Sequence, residues 1–194
     1  MSAGPVFLYL HGFASSPQST KARAFEAWGA RRGIPIRSLD LRVPSFADLR
    51  FSAMKSAVRQ AIGGPRDRAV LVGSSLGGLT AARVAEEDPR VAAVFLMAPA
   101  FGLADLWKRR LGPDGWARWR DEGSIEVDDH AADVKGGRSR VGWGFGEELD
   151  RLEGGERPDV RVPTCVVHGV RDEVVPVEGQ PRALLAPEVA AKQA

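Results

Sequence analysis

Short apolar runs alternate along this chain with segments of helical periodicity. Five runs are predicted as strands: Val6–Leu10, Ile34–Leu41, Arg68–Val72, Val91–Ala98 and Val160–His168. Apolar residues every three or four positions predict helices over Ser19–Arg32, Phe46–Ile62 and Leu76–Glu87. Strands joined through helices need right-handed crossovers, which build a parallel sheet. The alternation therefore predicts an α/β fold with a doubly wound, mostly parallel sheet.

Composition narrows the class of protein. The chain has 194 residues, 44% of them apolar and 27% charged, which is ordinary for one globular domain over residues 1–194. Its 27 basic and 25 acidic residues nearly cancel, so nucleic acid is not an expected partner. Cys165 is the single cysteine, and the three histidines are dispersed, so neither a disulfide framework nor a metal site is expected.

Targeting and nucleotide-binding signals are not found in the sequence. The longest apolar run, Val91–Ala98, has less than half of the roughly 20 residues that a membrane helix needs. No basic region precedes the first apolar run, and there is no Gly-x-Gly-x-x-Gly or Gly-Lys-Ser/Thr motif. We therefore expect a cytoplasmic protein with no membrane partner.

The region between the fourth and fifth strands, about residues 100–158, differs from the rest and is predicted to be a helical lid insertion. It holds four of the five tryptophans, and an insertion of this length is usually functional. The alternative is a loosely helical elaboration that covers one sheet edge. As a lid, it is expected to line an acyl pocket with Trp107, Trp116 and Trp119. Its cations either meet an anionic substrate such as an acyl-CoA or form a solvated helix face: Lys108, Arg109, Arg110, Arg118 and Arg120.

The most informative motif is Gly-x-Ser-x-Gly at Gly73, Ser75 and Gly77. It follows a buried strand and precedes a helix, the context in which the serine of this motif is a nucleophile on a sharp turn. The N–H of Leu76 and that of Phe13, in the loop after the first strand, are the expected oxyanion donors. A glycine-rich turn without chemistry is the alternative. His11 is expected to be structural.

The acid of such a site is expected after the fifth strand, and Asp172 has that position, with Glu173 as the alternative. His168 is expected to brace this loop. A catalytic histidine should follow the acid, yet none occurs between Asp172 and Ala194. His130 is a possible substitute base, because triads are defined by geometry rather than chain order; otherwise it is an exposed histidine. The last strand of the fold is also expected to be missing, as in a truncated or divergent C-terminus.

Three segments together resemble the YqiA-like esterases, small members of the α/β-hydrolase superfamily. They are Tyr9–Pro17 with Lys21 and Ala22, then Gly73–Gly78, and then His168–Pro176. The resemblance implies hydrolysis of carboxylic esters, including acyl thioesters, without a cofactor. It implies Ser75 as nucleophile, Asp172 as acid, and Phe13 and Leu76 as oxyanion donors. The family's C-terminal histidine has no counterpart here.

Two functions follow from these observations. The first is a serine esterase that acts on a small-molecule ester or thioester through an acyl-enzyme on Ser75. The alternative is a non-catalytic binding or scaffold protein on the same fold, because the expected histidine is absent. A missing last strand would leave a sheet edge open to pairing, so the protein is expected to be a monomer or a homodimer.

Overall fold

The structure is a computed structural model, and it describes residues 4–131, 134–152 and 157–175. Its strands are β1 (Val6–Leu10), β2 (Ile36–Leu39), β3 (Ala69–Ser74), β4 (Val91–Met97), β5 (Ser124–Asp128), β6 (Arg138–Gly142) and β7 (Thr164–Val167). Its helices are α1 (Thr20–Ala30), α2 (Phe51–Ile62), α3 (Leu76–Glu87), α4 (Leu103–Glu122) and α5 (Trp143–Leu152). A short 3-10 turn covers Lys135–Gly137.

Five strands form one parallel sheet in the order β2-β1-β3-β4-β7. Side chains alternate across it: Leu8 and Leu10 join the core beneath α2 and α3, whereas Tyr9 packs with Ala22 of α1 on the opposite face. The central strand β3 is buried along almost its whole length because helices cover both of its faces. The doubly wound α/β architecture predicted from the sequence is therefore confirmed.

Some boundaries differ from the prediction. Helix α2 begins at Phe51 rather than Phe46, because the preceding residues form a loop closed by the Arg50 N–H on the Val43 carbonyl (3.1 Å). Phe46 is nevertheless buried. The regular apolar spacing at Phe46 therefore indicates here that this residue is buried, and does not indicate a helix. The last strand of the sheet covers only Thr164–Val167, directly after Pro163, which has no N–H to give to a ladder.

The insertion between β4 and β7 is not wholly helical as predicted. Strands β5 and β6 form an antiparallel hairpin between helices α4 and α5. The indole of Trp119 is fully buried, and its Nε1–H donates to the Val141 carbonyl of β6 (3.0 Å). This side chain joins the hairpin to α4. Charged and apolar residues alternate along the hairpin, and this alternation is the sequence signal from which its strands could have been predicted.

The prediction of a missing final strand falls on residues 176–194, which lie outside the described residues. Among the helices that the structure describes, none combines the length and the apolar character needed to cross a membrane.

Candidate active site

Ser75 stands at the sharp turn between β3 and α3. Its backbone has φ 52° and ψ −116°, a conformation that L-residues rarely adopt. Hydrogen bonds fix this turn: the Ser75 N–H donates to the Met97 carbonyl (2.9 Å), and its own carbonyl accepts from Leu79 (3.0 Å) and Ala100 (3.1 Å). The side chain is half-buried, and no described residue forms a hydrogen bond with its hydroxyl. The surroundings therefore impose an unfavourable backbone and present the hydroxyl at the carboxyl edge of the sheet.

Glycine is required on both sides of this serine because backbone passes too close for a side chain. A Cβ on Gly77 would lie 2.1 Å from the carbonyl oxygen of Leu10, at the end of β1. One on Gly73 would lie 2.3 Å from the carbonyl oxygen of Gly77. The Gly-x-Ser-x-Gly spacing thus brings the start of α3 into contact with the end of β1.

Ser74, beside the candidate nucleophile, belongs to a polar group on the α1 face. Its hydroxyl lies 3.4 Å from the Lys21 ammonium and also hydrogen-bonds with Tyr9. Tyr9 is 1% exposed, and burial raises its pKa to about 12 against the weaker effect of hydrogen bonds from Ser19 and Ser74. Lys21, part of the sequence resemblance, therefore contacts the turn through Ser74.

The loop after β1 passes directly beside Ser75. A Cβ on Gly12 would lie 3.4 Å from the Ser75 Cβ. The next residue, Phe13, and the first residue of α3, Leu76, have backbone N–H groups with no hydrogen-bond partner among the described residues. The N-terminus of α3 also carries partial positive charge. Two N–H donors and a helix N-terminus therefore lie on the two segments that flank Ser75.

The side chain of Phe13 is where this loop meets the insertion. Its ring packs against Trp107 (5.0 Å between centroids), Phe46 (5.5 Å) and Phe145 (5.9 Å). Trp107 and Phe145 belong to α4 and α5. The two insertion helices therefore hold the loop that carries one of the candidate oxyanion donors.

His11 has both ring nitrogens engaged. The Leu41 N–H donates to Nε2 (3.0 Å), so the proton is on Nδ1, which lies 2.8 Å from the Gly12 carbonyl. Burial lowers the pKa of His11 and keeps the ring neutral, despite the Asp40 carboxylate 3.4 Å from Nε2. The ring thus has the structural role expected from the sequence.

Asp172 lies in the turn after β7, on the same edge of the sheet as Ser75. Its Oδ1 accepts from the N–H groups of Val174 (3.0 Å) and Val175 (2.9 Å), which orients the carboxylate. His168 Nε2 lies 2.7 Å from the Val175 carbonyl, and no described residue bonds to its buried Nδ1. His168 therefore braces the turn that holds Asp172.

His130 follows β5 at the tip of the hairpin. Its backbone N–H donates to the Ala14 carbonyl (2.9 Å), so this histidine is attached to the loop after β1. The neighbouring Asp129 is 1% exposed; its Oδ2 accepts from the Arg42 guanidinium (2.9 Å), and its Oδ1 accepts from the Ala131 N–H (3.1 Å). The backbone of His130 is thus fixed from both sides, while its side chain is exposed.

The predicted acyl pocket needs a correction. Trp119 has no exposed surface, so it is a core residue of the insertion and cannot line a pocket. Trp107 and Trp116 are partly exposed and pack against that core.

Within the described ranges, no group of three histidine, cysteine or carboxylate side chains is arranged to hold a metal ion.

Comparison with known proteins adds to this geometry. A family profile described as "Uncharacterised protein family (UPF0227)" matches residues 6–187. No curated protein matches the chain in sequence. Among solved structures, a protein of Agrobacterium vitis S4 is 24% identical, with a TM-score of 0.75, covering 95% of this chain and 76% of that protein.

Two further structures are similar. Mouse alpha/beta hydrolase domain-containing protein 10 is 22% identical, with a TM-score of 0.70 over 92% of this chain and 74% of that one. Est1E from Butyrivibrio proteoclasticus is 19% identical, with a TM-score of 0.62 over 90% and 70%. At these identities the likeness is one of fold, and the predicted α/β-hydrolase fold is confirmed.

Proposed function

The chain belongs to the uncharacterised protein family UPF0227, the YqiA-like family, and on this premise we propose that it is a serine hydrolase of carboxylic esters. The observation that carries the proposal is the strained backbone of Ser75, at φ 52° between a buried strand and a helix N-terminus. A protein keeps such a conformation at a non-glycine residue only where surrounding structure enforces it, and such residues cluster at functional sites.

In the proposed reaction the Ser75 oxygen attacks the ester carbonyl carbon while a base takes the hydroxyl proton. The carbonyl oxygen becomes an oxyanion, which the N–H groups of Phe13 and Leu76 stabilise. The tetrahedral intermediate then collapses, the C–O bond to the leaving group breaks, and the base returns the proton to the departing alkoxide. Water, activated by the same base, hydrolyses the acyl-enzyme. An acyl thioester follows the same sequence with a thiolate as leaving group.

The three histidines of this sequence differ in their fitness as the base. His11 uses both ring nitrogens in the fold, and His168 binds the Val175 carbonyl. We assign the base to His130, because its backbone is attached to the loop beside Ser75 and its ring is exposed. Ser75 follows β3, which lies between β1 and β4 in the sheet, and Asp172 follows β7, the strand beyond β4. In the proposed reaction the His130 imidazole takes the Ser75 proton, and the Asp172 carboxylate stabilises the imidazolium that forms.

The test is hydrolysis of a short-chain p-nitrophenyl ester by the unchanged chain and by single variants. Ser75→Ala is expected to lower kcat/KM by about 10³-fold or more, because the nucleophile is lost. Ser56→Ala, on the exposed face of α2, is the matched loss of a serine hydroxyl and should leave the rate unchanged. Equal activity of Ser75→Ala and the parent would overturn the proposal.

Two further variants test the base and the acid separately. His130→Ala is expected to lower kcat by about 10²-fold or more, with partial rescue by added imidazole. Asp172→Asn should lower kcat less than Ser75→Ala does. If His130→Ala retains full activity while Ser75→Ala has none, the assignment of the base is wrong and that of the nucleophile stands. If the parent chain is inactive while still folded, the non-catalytic alternative is the better description.

A further inference from the structure

Helix α4 is broken at its middle, and the break opens a groove on the surface of the insertion. Gly112 has φ 68° and ψ 170°, and Pro113 begins the second half of the helix. The groove has a volume of about 500 Å³. Small-molecule sites typically measure roughly 300–1,000 Å³, so this groove is of a suitable size for one ligand.

Three cations line this groove, Lys108, Arg109 and Arg120, and no carboxylate does. Lys108 is held by Asp150, and the Arg120 Nε donates to Asp121 (2.9 Å), which leaves the terminal nitrogens of Arg120 available. Arg109 is exposed and pairs with no group in the described part of the chain. Asp150 and Asp121 thus pair with two of the three cations, and Arg109 with the terminal nitrogens of Arg120 supplies the positive charge and the N–H donors that remain.

The floor of the groove is apolar and contains a fixed aromatic ring. Trp116 forms edge-to-face contacts with Trp119 (5.4 Å) and Trp143 (5.1 Å), which hold the plane of its indole. Pro113 and Ala117 line the groove beside it. The Lys108 ammonium lies over this indole, 5.5 Å from the ring centroid, so a flat ring that stacks there takes the place of Lys108.

We propose that this groove is a binding site for a phosphorylated nucleotide. Guanidinium groups bind phosphate oxygens through paired N–H donors. A site with several cations suits a ligand with several phosphate charges better than a ligand with one carboxylate. An inorganic anion would leave Trp116 unused, and a neutral ring would leave Arg109 without a partner among the described residues. The proposal does not depend on catalysis by Ser75, because it concerns binding at α4 alone.

The experiment is calorimetric titration of the full chain with ADP, with adenosine and pyrophosphate as probes for the two halves of the site. ADP is expected to bind at least about tenfold more tightly than either probe. Arg109→Ala should weaken ADP binding about tenfold or more, since a hydrogen bond to a charged group contributes about 1.5–3 kcal/mol. Arg110→Ala is the matched control, because Arg110 is the next residue, is also exposed and does not line the groove; its effect should stay below twofold.

A second variant separates stacking from charge. Trp116→Leu should weaken ADP binding and leave pyrophosphate binding unchanged. Three results would each overturn the proposal: no ADP binding at millimolar concentration, pyrophosphate binding as tight as that of ADP, or equal losses in Arg109→Ala and Arg110→Ala. The last would show only general attraction to a positive surface.

Discussion

Replacement of Ser75 by glycine should abolish hydrolysis and at the same time stabilise the protein. Its φ of 52° and ψ of −116° lie outside the regions open to residues with a Cβ. Such strain costs about 1–3 kcal/mol, and glycine removes it. Glycine also raises the conformational entropy of the unfolded chain, and this effect lowers the free energy of unfolding by about 0.4–1 kcal/mol. The net expectation is an increase of about 1 kcal/mol in the free energy of unfolding.

Two variants isolate this effect. Ser75→Ala loses the same hydroxyl but keeps the Cβ, so its stability should stay within about 0.5 kcal/mol of the parent. Ser56→Gly makes the same substitution at an ordinary position within α2, where glycine should destabilise by about 0.5 kcal/mol. The sign of the serine-to-glycine change is therefore expected to differ between the two sites.

Urea denaturation of the four proteins measures these differences, and thermal unfolding gives an independent check. For a chain of this size, 1 kcal/mol corresponds to a rise in Tm of about 2–4 °C. If Ser75→Gly is no more stable than Ser75→Ala, the backbone at this turn is not strained, and the main support for the proposed function is lost.

Two other predictions concern the same region. Gly77→Ala would place a Cβ 2.1 Å from the Leu10 carbonyl oxygen, which is backbone and cannot turn aside, so we expect a loss of about 3 kcal/mol in urea denaturation. Gly64→Ala, whose Cβ would meet only the Asp67 carboxylate at 3.4 Å, is the control, and equal stability of the two variants would contradict this reasoning. Tyr9 is the single tyrosine, and its pKa of about 12 predicts a midpoint near that pH when tyrosinate absorbance is followed at 295 nm. The Tyr9 hydroxyl loses its proton near pH 10 in the unfolded chain but only near pH 12 in the folded protein. The free energy of unfolding should therefore fall by up to about 3 kcal/mol between pH 10 and 12. Tyr9→Phe should remove that part of the fall, and a midpoint near 10 in the folded protein would show that the hydroxyl is not buried.

The order of strands and helices and the turn at Ser75 were predictable from the sequence because their signals are local. A strand buried on both faces must be apolar along its length, as Arg68–Val72 is, and a helix must repeat its apolar residues every three or four positions. Glycines at 73 and 77 are needed for close backbone approach, so they mark the turn before any contact is known. The bracing roles of His11 and His168 followed from their places at strand ends.

Other features were decided by contacts between residues far apart in the chain. The apolar spacing of Phe46 and Leu49 suggested a helix, but both residues are buried in a loop that packs on the core. Trp119 was expected to face a pocket, yet the hairpin β5–β6 encloses it. The bond from His130 to Ala14 spans more than a hundred residues. Sequence periodicity reports how strongly a residue is buried, whereas the identity of the residues that bury it is set by the packing of distant segments, and only the tertiary structure determines that packing.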